Sequence, residues 1–392
     1  MSRKRSAKSK PEPLRAPPVQ TAAAEGFVLS PTLDLLCVGG LSILVFIPLL
    51  LSGRQDLLFI GAGLQAWFAT AINMPHFMAS YRIVYRSRDM IMKHKWASMY
   101  VPAILLAYAA IALWMSRTTP VPAIILVAVA SGYLAWHYTG QVWGMMASYS
   151  YLAGQKFEPV ERFLVRSSLR ILLVWQVTWF LYTQLRDREL VRPLYVLIST
   201  GTVVAFVLGA IGLGIMYRRT GRMPPVRAIV AWLALFVWYA VLARDPRAIF
   251  WVQIAHAIQY LAFPIRVELN RTTQSAPSPR RVAAHMAMYG VGLLVVSYLI
   301  GQVIPGTAMS VVADIFGEEP GKVAPVLILM FINIHHYFTD GVIWKISNPE
   351  VRKELFAHVR REASQKSASP GRVSPTAAAY PAPQPHSGKS AR

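Results

Sequence analysis

The sequence has one cysteine and few acidic residues. Among its 392 residues only 18 are Asp or Glu, and only 15% carry a charge. The lone Cys37 lies in an apolar run, so neither an internal disulfide nor a cluster of thiolate metal ligands can form. With 55% hydrophobic residues, the chain is too apolar for an ordinary soluble protein. We therefore predict an all-α fold, a polytopic integral membrane helical bundle.

Basic residues are abundant, and their distribution along the chain indicates whether they bind nucleic acid or lie in cytoplasmic loops. The formal net charge is +22, which in a soluble chain would suggest binding to nucleic acid. Here Lys and Arg cluster in short segments between apolar runs, as they do in the cytoplasmic loops of membrane proteins. We expect membrane lipids as partners and no nucleic acid.

The two ends differ in composition from the middle. Residues 1–31 carry six Lys and Arg among Pro and Ala, and they predict a disordered basic arm. Residues 32–346 form the predicted transmembrane domain. Residues 347–392 are polar and then rich in Ser, Pro, Ala and Gln, which predicts a cytoplasmic tail that is largely disordered.

About 20 apolar residues span the hydrocarbon core of a bilayer, and the sequence contains about ten such segments. Their predicted limits are 33–52, 57–81, 99–115, 121–145, 169–185, 194–217, 228–243, 248–265, 283–304 and 324–345. With the N-terminus inside, 32 of the 40 Lys and Arg fall on the cytoplasmic side. This bias predicts both termini in the cytoplasm of a multi-pass protein of the inner (cytoplasmic) membrane.

Five of the nine histidines lie inside the predicted spans, where ionisable side chains are costly and usually have a partner. They are His76, His137, His256, His335 and His336. The other four, His94, His285, His358 and His386, lie in loops, at a helix entrance or in the tail, where solvent or lipid headgroups account for them.

The topology places the intramembrane histidines at one depth. They lie on the second, fourth, eighth and tenth predicted helices, which all run in the same direction. His76 is six residues before Arg82, and His256 is ten residues before Arg266. His336 is nine residues before a closing lysine, so these three histidines differ in depth by only about 6 Å. One layer of histidines is what a shared metal site requires.

Polar side chains accompany each histidine at helical spacing. Ligating histidines normally donate their second N–H to a carboxylate, amide or carbonyl, and such groups lie three or four residues away on the same face. We expect Asn73, Gln141, Gln253 and Asn333 to support the ligands, and Asp340 and Tyr260 to act in catalysis. Of the neighbouring pair, His336 is preferred as the ligand because its face carries Asn333 and Asp340, but His335 stays open.

The type of chemistry follows from the ligands. Histidine nitrogens suit Fe, Cu, Zn or Ni. The H-E-x-x-H pattern of zinc proteases is absent, and the spans hold fewer histidines than the clusters of membrane di-iron desaturases and hydroxylases. A mononuclear non-haem Fe²⁺ centre fits best, with another transition metal or haem as alternatives. We predict an oxygenase or desaturase acting on a lipid or isoprenoid-like apolar substrate.

The four motifs containing His76, His137, His256 and His336 resemble the Brp/Blh family of integral-membrane carotenoid dioxygenases. The resemblance implies an all-helical protein with isolated histidines on separate membrane helices. It also implies one bound iron and oxidative cleavage of an apolar substrate. We take from it the reaction class only.

Two other functions fit parts of the pattern. In a proton-coupled transporter, the histidines and Asp340 would relay protons and Pro75 and Pro264 would mark a central site. In a haem-binding electron carrier, His137 and His256 would ligate the haem from facing helices.

Overall fold

The computed structural model describes residues 26–185, 189–275, 278–344 and 349–359, and in this part of the chain every regular element is a helix. We number twelve helices in chain order. They are α1 (Pro31–Ser52), α2 (62–84), α3 (Arg88–Lys93), α4 (Trp96–Met115), α5 (Val121–Leu152), α6 (Pro159–Gln184), α7 (Val191–Thr220), α8 (Val226–Arg244), α9 (Pro246–Ser275), α10 (Pro279–Phe316), α11 (Glu318–Ile343) and α12 (Pro349–Leu355).

Nine of the described helices are long and apolar enough to cross a membrane, which indicates a multi-pass membrane protein. Each predicted segment coincides with a described helix over most of its length, but α2 is not among the nine. It is long enough at residues 62–84, yet Gln65, Asn73 and His76 lower its hydropathy. The expected number of about ten is therefore corrected to nine apolar spans and one more polar helix.

Several helices extend well beyond their predicted limits. The segment 305–323, expected to be mostly a loop, is helical apart from Gly317. Gly317 has φ of 99° and reverses the chain between α10 and α11. A Cβ on Gly321 would lie 2.6 Å from the Cβ of Ala313, so the two helices meet closely just beyond the turn. Hydropathy locates the membrane-buried part of a helix but not where its backbone ends.

Local signals account for other helix ends. Helix α6 begins with a capping box, in which Glu158 and Glu161 satisfy each other's backbone N–H groups. Helix α7 ends at Gly221, whose φ of 65° is a left-handed conformation that favours glycine.

The main hydrophobic core lies between α1, α5, α6, α7, α8 and α9. Glycines permit the closest contacts there. A Cβ on Gly209 of α7 would lie 2.4 Å from the Trp232 ring, so the absence of a side chain at this position lets α7 and α8 pack closely. Gly39 of α1 has φ of 137°, and a Cβ there would lie 2.3 Å from the Cβ of Ala234.

Four helices contain a π-helical turn, at Leu36–Gly40, Ala69–Asn73, Trp96–Tyr100 and Leu299–Val303. Such turns are rare and often lie near functional sites. Carbonyl groups in the first three turns accept hydrogen bonds from the side chains of Gln259, His76 and His335, respectively. They therefore help to position the site described below.

Helix α12 falls in the segment predicted as a largely disordered tail. Leu355 and Phe356 are buried, and the Asn270 side chain donates hydrogen bonds to the carbonyls of Glu354 and Leu355. The ordered bundle thus continues past the predicted boundary at 347. Most of the predicted tail, 360–392, and most of the basic arm, 1–25, lie outside the described residues.

Candidate metal centre

Four histidines from four helices meet inside the bundle. His76 of α2, His137 of α5, His256 of α9 and His336 of α11 are each at most 4% exposed. Their rings form a closed square. The distances between ring centroids around it are 4.7 Å from His76 to His336, 5.0 Å from His336 to His137, 4.8 Å from His137 to His256 and 5.4 Å from His256 to His76. We call these four residues the histidine cluster.

The ring nitrogens in the cluster have spacings near those of metal ligands. Ligand nitrogens of His76, His137 and His336 all lie within 4.8 Å of one another. The Nε2 atoms of His137 and His256 are 3.0 Å apart. Two nitrogens that bind one metal at about 2.1 Å lie about 3.0 to 3.4 Å apart, so this pair already has that separation.

The hydrogen bond of His76 fixes its protonation. Its Nδ1 contacts the backbone carbonyl of Asn73, at the end of a π-helical turn. A carbonyl can only accept, so Nδ1 carries the proton and Nε2 keeps its lone pair. That Nε2 is buried and has no hydrogen-bond partner. A ring held by a carbonyl at one nitrogen with the other nitrogen available is the usual state of a metal-ligating histidine.

His336 has a carboxylate beside it. Neither of its ring nitrogens has a hydrogen-bond partner, but Asp340 lies one helical turn further along α11. The Oδ2 atom of Asp340 is 3.4 Å from Nε2 of His336 and 3.8 Å from Nε2 of His137. Asp340 thus adds an oxygen donor next to the nitrogens of the histidine cluster.

The other oxygen of Asp340 is held by a buried network. Its Oδ1 accepts hydrogen bonds from Ser80 Oγ at 2.7 Å and from the Tyr260 hydroxyl at 2.9 Å. The indole N–H of Trp344 donates to the Tyr260 oxygen at 2.6 Å. Because Oδ1 is satisfied in this way, Oδ2 is the oxygen directed to the histidines. Ser80 lies four residues after His76, and Trp344 lies four residues after Asp340, so helical spacing places each of them on the face of a site residue.

The side-chain amides of the expected supporting residues are not bonded to the histidine rings, whereas the backbone carbonyl of Asn73 accepts from His76 Nδ1. Asn73, Gln253 and Asn333 each lie three residues before a histidine and together line a narrow crevice beside the cluster. Gln141 donates to the backbone carbonyl of His256 at 3.2 Å and to Gln259 Oε1 at 2.9 Å. Gln259 in turn donates to the Val38 carbonyl at 2.6 Å, so this chain of amides positions helices rather than rings.

His335 lies outside the histidine cluster. Its Nε2 is 3.1 Å from the Ala97 carbonyl and 3.0 Å from the Tyr85 hydroxyl, and its ring stacks on Tyr81 with centroids 4.8 Å apart. The structure does not bring it together with the other candidate ligands. It connects α11 to α4 and α2 instead.

Two of the loop and entrance histidines have polar contacts elsewhere. His285 Nε2 is 2.7 Å from Glu268 Oε1, which Arg82 also contacts at 2.7 Å. His358 contacts the Phe27 carbonyl at 2.7 Å. His386 lies outside the described residues.

Comparison with protein-family models, curated proteins and solved structures gives no significant match for this chain. The likeness to the Brp/Blh dioxygenases therefore rests on the histidine pattern alone. Any function has to be argued from the site itself.

Proposed function

We propose that the protein is an integral-membrane metalloenzyme, a mononuclear non-haem iron oxygenase or desaturase acting on a lipid or isoprenoid-like substrate. The observation that carries this proposal is the closed square of four buried histidines, whose rings include nitrogens without hydrogen-bond partners. Leaving a buried polar atom unsatisfied costs about 1–3 kcal/mol. Several such atoms in one place are best explained by a ligand that they share.

The donor set favours iron among the possible metals. Imidazole nitrogen suits Fe, Cu, Zn and Ni alike. The Oδ2 atom of Asp340 adds a carboxylate oxygen beside His336 and His137. Histidines combined with a carboxylate and an open position are typical of non-haem Fe(II) oxygenases. The nearest thiol, that of Cys37, is not part of the cluster, so a thiolate-dependent site is not supported.

Each residue has a role in this proposal. His76, His137, His256 and His336 hold the metal, and bound iron would supply activation of dioxygen for attack on an apolar substrate. Asp340 Oδ2 lies where it can ligate the metal or accept a proton. Tyr260 can deliver a proton to Oδ1 through its hydroxyl hydrogen bond.

The geometry argues against haem. A porphyrin held by two axial histidines needs a flat slot between them. The Nε2 atoms of His137 and His256 are in direct contact at 3.0 Å, and all four rings of the histidine cluster touch. The cluster fits a single metal ion better than a macrocycle.

For the orientation, we propose both termini in the cytoplasm and insertion in the inner membrane. The distribution of Lys and Arg, with 32 of 40 on one side, supports this arrangement. A periplasmic reporter fused after residue 118 should be active, and one fused after residue 222 should be inactive. The reverse result would invert the topology.

Metal analysis and an optical spectrum of the purified protein test the function. We expect about one non-haem iron per chain and no Soret band, since four histidines hold one ion. A Soret band would favour the haem carrier. A preparation that binds no transition metal, even after incubation with Fe²⁺ under reducing conditions, would contradict the proposal and favour a proton-coupled transporter.

A further inference from the structure

The histidine cluster has two unlike faces. On one side, one turn after the histidines, Ser80, Tyr260 and Asp340 form a continuous hydrogen-bonded network. On the other side, three residues before the histidines, Asn73, Gln253 and Asn333 surround a crevice. In α2, α9 and α11, an amide residue lies three positions before the histidine, and a hydroxyl or carboxylate residue lies four positions after it. The two faces therefore lie at opposite ends of the cluster.

The crevice is small and has both polar and apolar lining residues. Its volume of about 10 Å³ has room for about one water molecule. Three of the residues that line it have a buried atom without a hydrogen-bond partner: Nε2 of His76, the hydroxyl of Tyr138 and Nδ1 of His256. These residues are at most 3% exposed. A space of this size, with unsatisfied buried groups among its lining residues, is suited to a small ligand that accepts and donates hydrogen bonds.

The rest of the lining limits the size of that ligand. Phe77, Leu134 and Tyr337 close the crevice with apolar and aromatic surface. The Tyr337 hydroxyl donates to Asn333 Oδ1 at 3.3 Å, and Asn333 donates to the Leu329 carbonyl at 2.7 Å. The Asn333 side chain is thereby fixed at the wall of the crevice.

We propose that this crevice, defined by Asn73, Gln253 and Asn333, is the side from which a small ligand of the size of water or dioxygen reaches the metal. The inference rests on the proposed metal site and adds that this site is open to small ligands on the side of the crevice. The amide N–H groups and the Tyr138 hydroxyl would donate hydrogen bonds to the ligand. The apolar substrate is too large for the crevice and must approach by another path.

Binding of nitric oxide to the full-length protein loaded with Fe²⁺ tests this assignment. Nitric oxide is a diatomic probe, and its complex with non-haem iron is measured by electron paramagnetic resonance. Asn333→Leu and Gln253→Leu place methyl groups at the crevice. We expect them to weaken nitric oxide binding by about tenfold or more, the equivalent of about one hydrogen bond with added crowding, while iron content stays near that of the unmodified protein.

Gln302→Leu is the matched control. Gln302 is also a half-buried amide in a membrane helix, but it donates to Thr70 at 2.9 Å and does not line the crevice. We expect its nitric oxide affinity to stay within about twofold of the unmodified protein, since it loses one distant hydrogen bond. Equal affinity in all the iron-loaded variants would overturn the assignment.

A second variant tests the same crevice in the opposite direction. Leu134→Ala removes apolar lining and should fold, because Leu134 is only partly buried. We expect it to strengthen binding of azide, a longer probe, by about tenfold through removal of the steric limit. No change in azide affinity would contradict the inference.

If iron binds but nitric oxide does not, this inference alone fails. If iron does not bind, the proposed function fails as well.

Discussion

Two buried regions of the molecule differ in whether their polar atoms have hydrogen-bond partners. In the aromatic core between α1, α6, α7 and α8, each large polar ring has a partner. Trp175 donates to Ser199, Trp179 to the Leu242 carbonyl, Trp232 to Ser168, Trp238 to Ser42 and Tyr239 to Gln176. In the histidine cluster, His76 Nε2, His256 Nδ1 and both nitrogens of His336 have none.

The difference separates structural polar groups from functional ones. A buried donor without a partner costs about 1–3 kcal/mol, so a fold that satisfies its tryptophans has no structural reason to leave histidines unsatisfied. Single unpartnered groups also occur elsewhere, for example at Ser150 and Ser297. Within the described part of the chain, the histidine cluster is the one place where ring nitrogens from three helices lack partners close together.

The largest expected effect separates two neighbouring histidines. His336→Ala should reduce bound iron from about one per chain to below about a tenth, because it removes a ligand from the centre. His335→Ala, the matched control, should retain its iron since His335 bonds Ala97 and Tyr85 instead. Metal analysis of both purified variants measures this. Iron loss from His335→Ala alone would contradict the assignment of ligands.

The second prediction concerns the scaffold behind the histidine cluster. Gly39→Ala should lower the free energy of unfolding by about 3 kcal/mol or more, through left-handed strain and overpacking. Gly39 has φ of 137°, and a Cβ at this position would lie 2.3 Å from the Cβ of Ala234. Thermal unfolding in detergent measures it. Gly53→Ala is a control with positive φ but no atom within 4 Å of its Cβ, and an equal loss in both variants would show that packing against Ala234 is unimportant.

Asp340→Asn should have an intermediate effect. The substitution keeps the size of the side chain but removes the negative charge 3.4 Å from His336 Nε2. We expect iron affinity to fall by about 10- to 100-fold, the usual result of altering a group beside or among the ligands. Competition with a chelator of known affinity measures the change. Unchanged affinity would remove Asp340 from the metal centre.

The smallest expected effect is that of a substitution in the aromatic core. Tyr239→Phe removes the hydroxyl that donates to Gln176 at 2.6 Å and leaves a buried acceptor unsatisfied. We expect a loss of about 1 kcal/mol in stability with iron content unchanged. Thermal unfolding and metal analysis of the same sample provide both values. A large loss of iron from this variant would show that the two regions are not independent.

The sequence predicted much of the site because depth can be read from it. Counting residues from the basic helix ends placed His76, His256 and His336 in one layer, and the structure brings them together with His137. Side-chain direction on a single helix was harder to predict. His335 and His336 point about 100° apart, and the choice between them depends on which neighbours surround α11.

Contacts between distant segments were beyond sequence reasoning. The hydrogen bond from Ser80 to Asp340 joins residues 260 positions apart, and nothing in either helix indicates the pairing. Asn73 supports the His76 ring through its backbone carbonyl, whereas its side chain and that of Gln253, both expected to bond the ligand rings, line a crevice. Helical spacing shows which residues share a face, whereas packing decides what that face meets.

X-ray absorption spectroscopy of the iron-loaded protein tests the central claim most directly. We predict a first shell of nitrogen and oxygen atoms at about 2.0–2.2 Å, with the outer-shell scattering of at least three imidazole rings. The same spectrum of His256→Ala loaded at high iron should show one imidazole fewer. A first shell without imidazole scattering, or one that is identical in the variant, would contradict a metal centre built from the histidine cluster.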